Sequence, residues 1–568
     1  MSHTDDTVDA TPDAENHQPA TASTGLAAMH AMRGARKHRR LGNIEWFDAA
    51  YRVYLVALFG GGALVWLSDL VGDDPVSAAQ TIDVSKHGPA VLGMVAVLAL
   101  AAGLRSGSQG GPLALEGADV VHVMLSPIPR SAALLRPAVQ RVRGAVFAGA
   151  AVGAVFGQLA GRRLPGTALA WFFGGALFGA SCALLFVGGA LVAHALRIPL
   201  TVSTLIAAVG VAWQAAAIAT DVPGPADLHG SLGLWGWRQH PQDVIAVGIS
   251  LAVAAVGMTM IARTSLEALA RRASLVAQLR FAVTMQDLRT VILLRRQLSH
   301  EHTRRRPWFK IKSRDGGDAV WRRGWHSLVR FPTGRVVRMV ALAAGAGASQ
   351  VAAFHGTTPA IVGSMVLLFV LGLEALEPLS QEIDQPDRTD SFPHERGQLL
   401  ARHLRAPAVV LLPFALIGGA SAVLVDAIAT DGRRVGTAAA VAAILAIPTV
   451  LAGAAGSAVS IVRDAPDPMS SNSQQSFMPP EMAGFSTVLR TLVPLLVSIA
   501  GMLSILPVRS AFEHGDQVVA AAVRAGIAVV LLVAATALWV RHRDRMHRKF
   551  RSFMDEGRSY SQQQRSTR

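Results

Sequence analysis

Two stretches of the sequence open as a helical zinc-hydrolase motif does: HEHTR at 300–304 and HERGQ at 394–398. In that motif two His side chains one helical turn apart hold Zn2+, and the Glu between them takes a proton from water. Here the second ligand position is Arg304 in one case and Gln398 in the other. Neither stretch can close a zinc site. A phosphate-binding loop needs Gly directly before its Lys, so that backbone N–H groups and the ammonium converge on the phosphates. None of Lys37, Lys86, Lys310, Lys312 or Lys549 follows a glycine. GSQGG at 107–111 has its Ser one position too early for a nucleophile elbow, and GAGASQ at 345–350 lies inside an apolar run rather than between a strand and a helix. Cys182, the only cysteine, falls in another apolar run and reads as core, with no disulfide framework. The expectation is no catalytic residue, no metal and no cofactor on this chain.

What remains is charge placed for contact rather than for bond-making. Glu116, Asp119, Pro127, Pro129 and Arg130 lie in the stretch 105–143, and Glu382, Asp384 and Arg388 lie in 378–405. Each stretch joins two long apolar runs that far fewer residues could connect.

Those runs dominate the chain. Half of it is hydrophobic (51%), only 16% is charged, and the mean hydropathy is +0.38. A soluble globule carries about a quarter charged residues. Runs long enough to cross about 30 Å of hydrocarbon predict an all-α polytopic membrane protein. The twelve expected spans cover about 51–71, 87–104, 144–160, 166–193, 198–220, 242–262, 336–354, 359–377, 406–427, 436–462, 486–506 and 519–540. The first 25 residues are polar and acidic and read as a disordered tail rather than a signal peptide. Basic residues are retained on the cytoplasmic side of a membrane. With the N-terminus inside, inner segments hold 45 of the 53 Lys and Arg. Both termini are therefore expected in the cytoplasm, the chain in the plasma membrane of a bacterium, and 541–568 as a basic inner tail.

The stretch 263–338 carries 18 basic residues against five acids, and LEALARRASLVAQLRFAVTMQDLRTVILLRRQL within it has helical spacing of Leu, Val and Ile. No stacking aromatic series or nucleic-acid fold accompanies the charge. It reads as an amphipathic cytoplasmic linker, 263–335, that meets anionic headgroups or a partner, with no nucleic acid bound. The linker separates a first half, 26–262, from a second, 336–540. The halves echo each other: GRRLPGTA (161–168) follows the third span and GRRVGTAA (432–439) the ninth, and a long inner connection follows the second span of each. Together these indicate an internal duplication.

Within the first connection, Pro127 and Pro129 stop the run VVHVML and Ser131 reads as the N-cap of the next helix. The helical spacing puts Leu135, Val139 and Val142 on one face and Arg136, Gln140 and Arg143 on another, with Pro137 as a kink. Glycine clusters such as GGALFGA (174–180) have the spacing of close helix packing in lipid.

This layout resembles two fused copies of the permease domain of type-2 ABC exporters. Such domains have six spans, a basic amphipathic helix before the first, and a cytoplasmic coupling segment between the second and third. They also carry an elaborate outer loop between the fifth and sixth, the place of 221–241 here; the counterpart 507–518 is shorter and departs from the pattern. QDLRTVILLRRQL and LSPIPRSAALLRP are also similar to stretches of high-GC actinobacterial membrane proteins of this type, which says nothing of substrate. The resemblance implies a permease subunit of an exporter with an unidentified substrate; a small-residue, mostly uncharged interior suits an amphipathic one. The resemblance also implies that ATP is bound by a partner ATPase in trans rather than by this chain. Glu116, Asp119, Pro127, Pro129, Arg130, Glu382, Asp384 and Arg388 then become the ATPase-coupling residues. The alternatives are a major-facilitator-like secondary carrier, which would need buried ionisable groups, and a non-transporting membrane scaffold.

Overall fold

The computed structural model describes residues 22–42, 76–113, 119–126, 128–220, 222–270, 304–310, 318–383, 395–463 and 492–566, with isolated positions between them. Among these the chain is helical throughout; the only pairing of extended residues is a single bridge between Val71 and Thr357. Among the described residues ten helices are long and apolar enough to cross a membrane, or eleven when a pair bent by 62° counts as one. The first expected span, 51–71, lies largely outside the described residues, so twelve is not reached here.

The side-chain pattern is that of a protein solvated by lipid. On the helix Arg130–Ala160, Phe147 is 75% exposed and Phe156 is also exposed, while Gly153 and Gly157 of the same helix are buried. Water would reverse that arrangement. The molecule is a multi-pass membrane protein. It divides into two compact units, residues 1–66 with 74–278, and 67–73 with 279–568.

In the first unit α1 (Ala22–Gly42) precedes α2 (Ala78–Ser108), capped by Ser77 and Gln80 in a reciprocal capping box. After a one-turn π-helix (Asp119–Val123) come α3 (Arg130–Ala160), α4 (Ala168–Ala195) and α5 (Leu200–Ala219). The short α6 (Asp227–Gly233) and α7 (Trp235–Arg238) lead to α8 (Val244–Thr259). α4 is the hub, packing on α2, α3 and α8. The α3–α4 seam is made of glycines: Gly149, Gly153 and Gly157 lie against the backbone of Gly179, Gly175 and Trp171. A Cβ at any of the three would collide with a carbonyl oxygen of α4.

Two local expectations need correction. Pro129, not Ser131, is the N-cap residue of α3, because the Ala133 amide already bonds the Pro129 carbonyl at 3.2 Å. The helix also runs unbroken through Pro137. The apolar face of the start of α3 is turned outward. Leu135 and Val139 are exposed and Val142 half-buried, whereas Ala133, Leu134 and Ala138 are buried. In lipid the small face packs against protein and the large apolar side chains are left to the acyl chains.

The connection 221–241 is not an open loop. α6 packs on α2, with Gly230 against the Pro89 carbonyl and the Gly93 amide. Gln214 of α5 donates to Asp227 (2.8 Å) and to the Ala90 carbonyl (2.7 Å), fixing the start of α6 inside the bundle. The imidazole of His229 lies 3.0 Å from the Ser250 hydroxyl on α8.

The second unit begins with α9 (Ala319–Leu328), capped by Asp318, then α10 (Thr333–Phe354). α11 (Ala360–Ala375) and α12 (Glu377–Ile383) meet at the 62° bend. α13 (Arg396–His403) runs into α14 (Arg405–Ala429), and α15 (Val435–Val462) follows the second GRR turn. The end of the unit is α16 (492–502), α17 (Ile505–Glu513) and α18 (Val518–Ser566). α18 carries the last span without a break into the basic tail. In chain order α11, α14, α15 and α18 correspond to α2, α3, α4 and α8. Their packing corresponds too: α15 lies on α11, α14 and α18 as α4 lies on α2, α3 and α8.

Candidate functional site

In the first unit, the connection between α2 and α3 folds into an apolar knot. Leu113, Leu115, Val120, Val123 and Met124 are buried with Met29 of α1, Leu134 of α3, Leu191 of α4 and Ile261. The Arg33 guanidinium adds a bond to the Ala133 carbonyl at 3.0 Å. Gly111 makes the knot possible: it sits at φ +76°, and a Cβ there would strike the His194 ring. His194 accepts from the Ser265 amide at Nε2 (3.2 Å), so its proton is on Nδ1. The segment is thus a shaped part of the bundle end, not a loose strap.

Of the expected coupling residues here, Pro129 and Arg130 are exposed at the start of α3. Asp119 opens the π-helix, its side chain undescribed, and Glu116 and Pro127 lie outside the described residues. Further basic side chains of this unit are exposed: Arg136, Arg141 and Arg143 on α3, and Arg197 after α4. Arg272 is half-buried, and its Nε has no hydrogen-bond partner among the described residues; burial, then the charge of Arg141, lowers its pKa.

The second unit organises the same region by ion pairs. Glu374, in the last turn of α11, is held by the Nε of Arg335 (3.0 Å) and the Nη2 of Arg338 (3.0 Å), both from the first turns of α10. Arg335 also pairs with Glu377, just past the bend, and donates to the Glu374 carbonyl. Its guanidinium lies 3.7 Å from the ring centroid of Phe331. One Arg therefore clamps both sides of the bend. Further along α12, Glu382 is 1% exposed and faces Arg323 of α9 (3.0 Å) and His403 of α13 (3.6 Å). Asp384 and Arg388 lie outside the described residues.

Glu382 is thus an internal tie rather than a surface group. Arg323, Arg335, Arg338, Glu374 and His403 were not picked out as site residues by sequence reasoning. A signal existed: Arg335 and Arg338, like Glu374 and Glu377, are spaced one helical turn apart at the ends of adjacent apolar runs. Chemically the network has no nucleophile aimed at open space. It can transmit force, because α9, α10, α12 and α13 cannot move independently while it is intact. Comparison with family models, curated proteins and solved structures returns no match. The reading therefore rests on this geometry.

Proposed function

We propose that this chain is the permease subunit of an ABC-type exporter in a bacterial plasma membrane, driven by a separate ATPase bound at its cytoplasmic face. The observation that carries the reading is the ionic tie between the connection after α11 and its surroundings. Through Glu374 and Glu377 a push on that connection reaches α10, and through Glu382 it reaches α9 and α13. The parallel connection in the first unit is anchored by apolar burial, and the exposed basic side chains of α3 suit an acidic partner face. In this reading ATP binding by the partner moves both connections, and the helices they hold rock together.

The test is the double variant Arg130→Glu with Arg388→Glu, co-expressed with an ATPase encoded beside the chain. Reversing two charges at a docked surface costs several kcal/mol, so co-purification and ATP-dependent transport should both be lost at normal membrane expression. Full retention of both would remove these residues from the coupling surface.

One observation favours a second reading, a secondary carrier. Asp243, at the start of α8, is 0% exposed, and neither carboxylate oxygen has a hydrogen-bond partner among the described residues. A buried carboxylate at a span end, without a partner among the described residues, is where a proton-coupled carrier would load its proton. Asp243→Asn separates the readings: transport is abolished in a proton-coupled carrier and kept in an ATP-driven one.

A further inference from the structure

α10, α11, α15 and α14 form a closed ring in the second unit, each packing on the next. The ring is not filled. A partly open cleft of about 80 Å3 runs along it, lined also by Phe512 of α17 and Val518 of α18. On α10 it extends from Ala343 to Phe354, about 16 Å at 1.5 Å per residue. Its walls are small side chains, among them Ala346, Gly347, Gly418, Ala422 and Ala442. α10 and α14 touch where Gly347 meets the Gly418 carbonyl, and beyond that crossing they leave room between them.

The end of the cleft near the second GRR turn is chemically different. Among the described residues, Asp426 and Arg434 are the only charged ones that line it. Asp426 lies against His355, whose Nε2 is 2.8 Å from its carboxylate. Arg434 has no carboxylate at ion-pair distance among the described residues. Its guanidinium lies 4.3 Å from the ring centroid of Phe512, which packs on Phe354 at 5.4 Å. Stacking on a ring face leaves the N–H edge of a guanidinium available to a planar or tetrahedral anion. The neighbouring cations are already paired, Arg433 with Asp431 and Arg509 with Glu513.

We propose that this cleft binds one amphiphile with a phosphate head, the apolar tail lying between α10 and α14 and the phosphate on Arg434. An apolar slot of this length, with an exposed guanidinium at one end that has no ion pair among the described residues, matches that chemistry. Neither an ATPase nor transport is assumed, so the proposal stands or falls apart from the permease reading.

The test is native mass spectrometry of the full chain in neutral detergent, with phosphatidate, chain-matched phosphatidylcholine and inorganic phosphate as probes. One phosphatidate should be retained in preference to phosphatidylcholine, and inorganic phosphate should neither bind measurably nor displace it. Arg434→Gln should weaken retention about tenfold or more, the loss of one charge-assisted contact. Arg433→Gln, one residue away, should not. Ala442→Leu fills the slot and should also release the lipid; Ala438→Leu replaces it if the melting temperature of the first falls. Equal loss in Arg433→Gln, undiminished binding in the filled variant, equal retention of phosphatidylcholine, or displacement by phosphate alone would each overturn the proposal.

Discussion

Glu374 shows how a charge survives in a bundle that lipid surrounds. It is 3% exposed, yet both carboxylate oxygens meet a guanidinium, one from Arg335 and one from Arg338. Removing one partner of a buried pair costs more than the pair contributes, because the remaining charge is left without compensation. Glu374→Gln should therefore destabilise the second unit by about 3–5 kcal/mol, read as a lower melting temperature in detergent. Glu377→Gln should cost less, since Glu377 is partly exposed. Replacing Arg335, Arg338, Glu374 and Glu377 together by Met should recover most of the loss, because no lone charge of the cluster then remains. If Glu374→Gln alone matched the parent chain, the carboxylate would not be ionised in the folded state. The sequence placed these acids at span ends but could not pair them with α10, because pairing depends on the bend at Leu376.

Among the helices, the α3–α4 seam carries the clearest expectation. The chain offers an internal control, since Gly144 and Gly153 are both on α3. A Cβ at Gly144 would meet nothing within 4 Å, whereas one at Gly153 would collide with the Gly175 carbonyl. Gly153→Leu should separate the two helices and lower the folded fraction in membranes. Gly144→Leu should be neutral or slightly favourable, because Leu propagates a helix better than Gly by several tenths of a kcal/mol. Equal behaviour of the two variants in a thermal aggregation assay would show that the seam is not a close contact. Glycine packing was legible from the GGALFGA cluster. The outward face of α3 was not, because helical spacing of Leu135, Val139 and Val142 marks a stripe without saying whether protein or lipid covers it. The same limit hid α6: DVPGPADLHGSLG reads as a polar turn, and only the fit of Gly230 against Pro89 shows why it folds into the bundle.

For the whole molecule, the basic residues and the repeated helix packing argue together. α4 and α15 are hubs with corresponding neighbours, and the GRR turns precede both. If the units share a fold with six spans each, the turns at 161–163 and 432–434 lie on the same membrane face. The positive-inside balance then makes that face the outer one, despite the two arginines in each turn. The orientation is testable by single cysteines in the Cys182→Ser background. Val222, Arg433 and Asp516 are exposed at turns on the expected outer side. Cysteines there should react with a membrane-impermeant maleimide in intact cells. Cysteines at Ser313 and Ser559, in the basic inner segments, should react only after the membrane is opened. Gly230 is unsuitable as a reporter, because any side chain there would disrupt α6 before its accessibility could be read. Labelling at Ser313 in intact cells would invert the topology. It would also put the ion network on the wrong side for a cytoplasmic ATPase, and the coupling reading would fall with it.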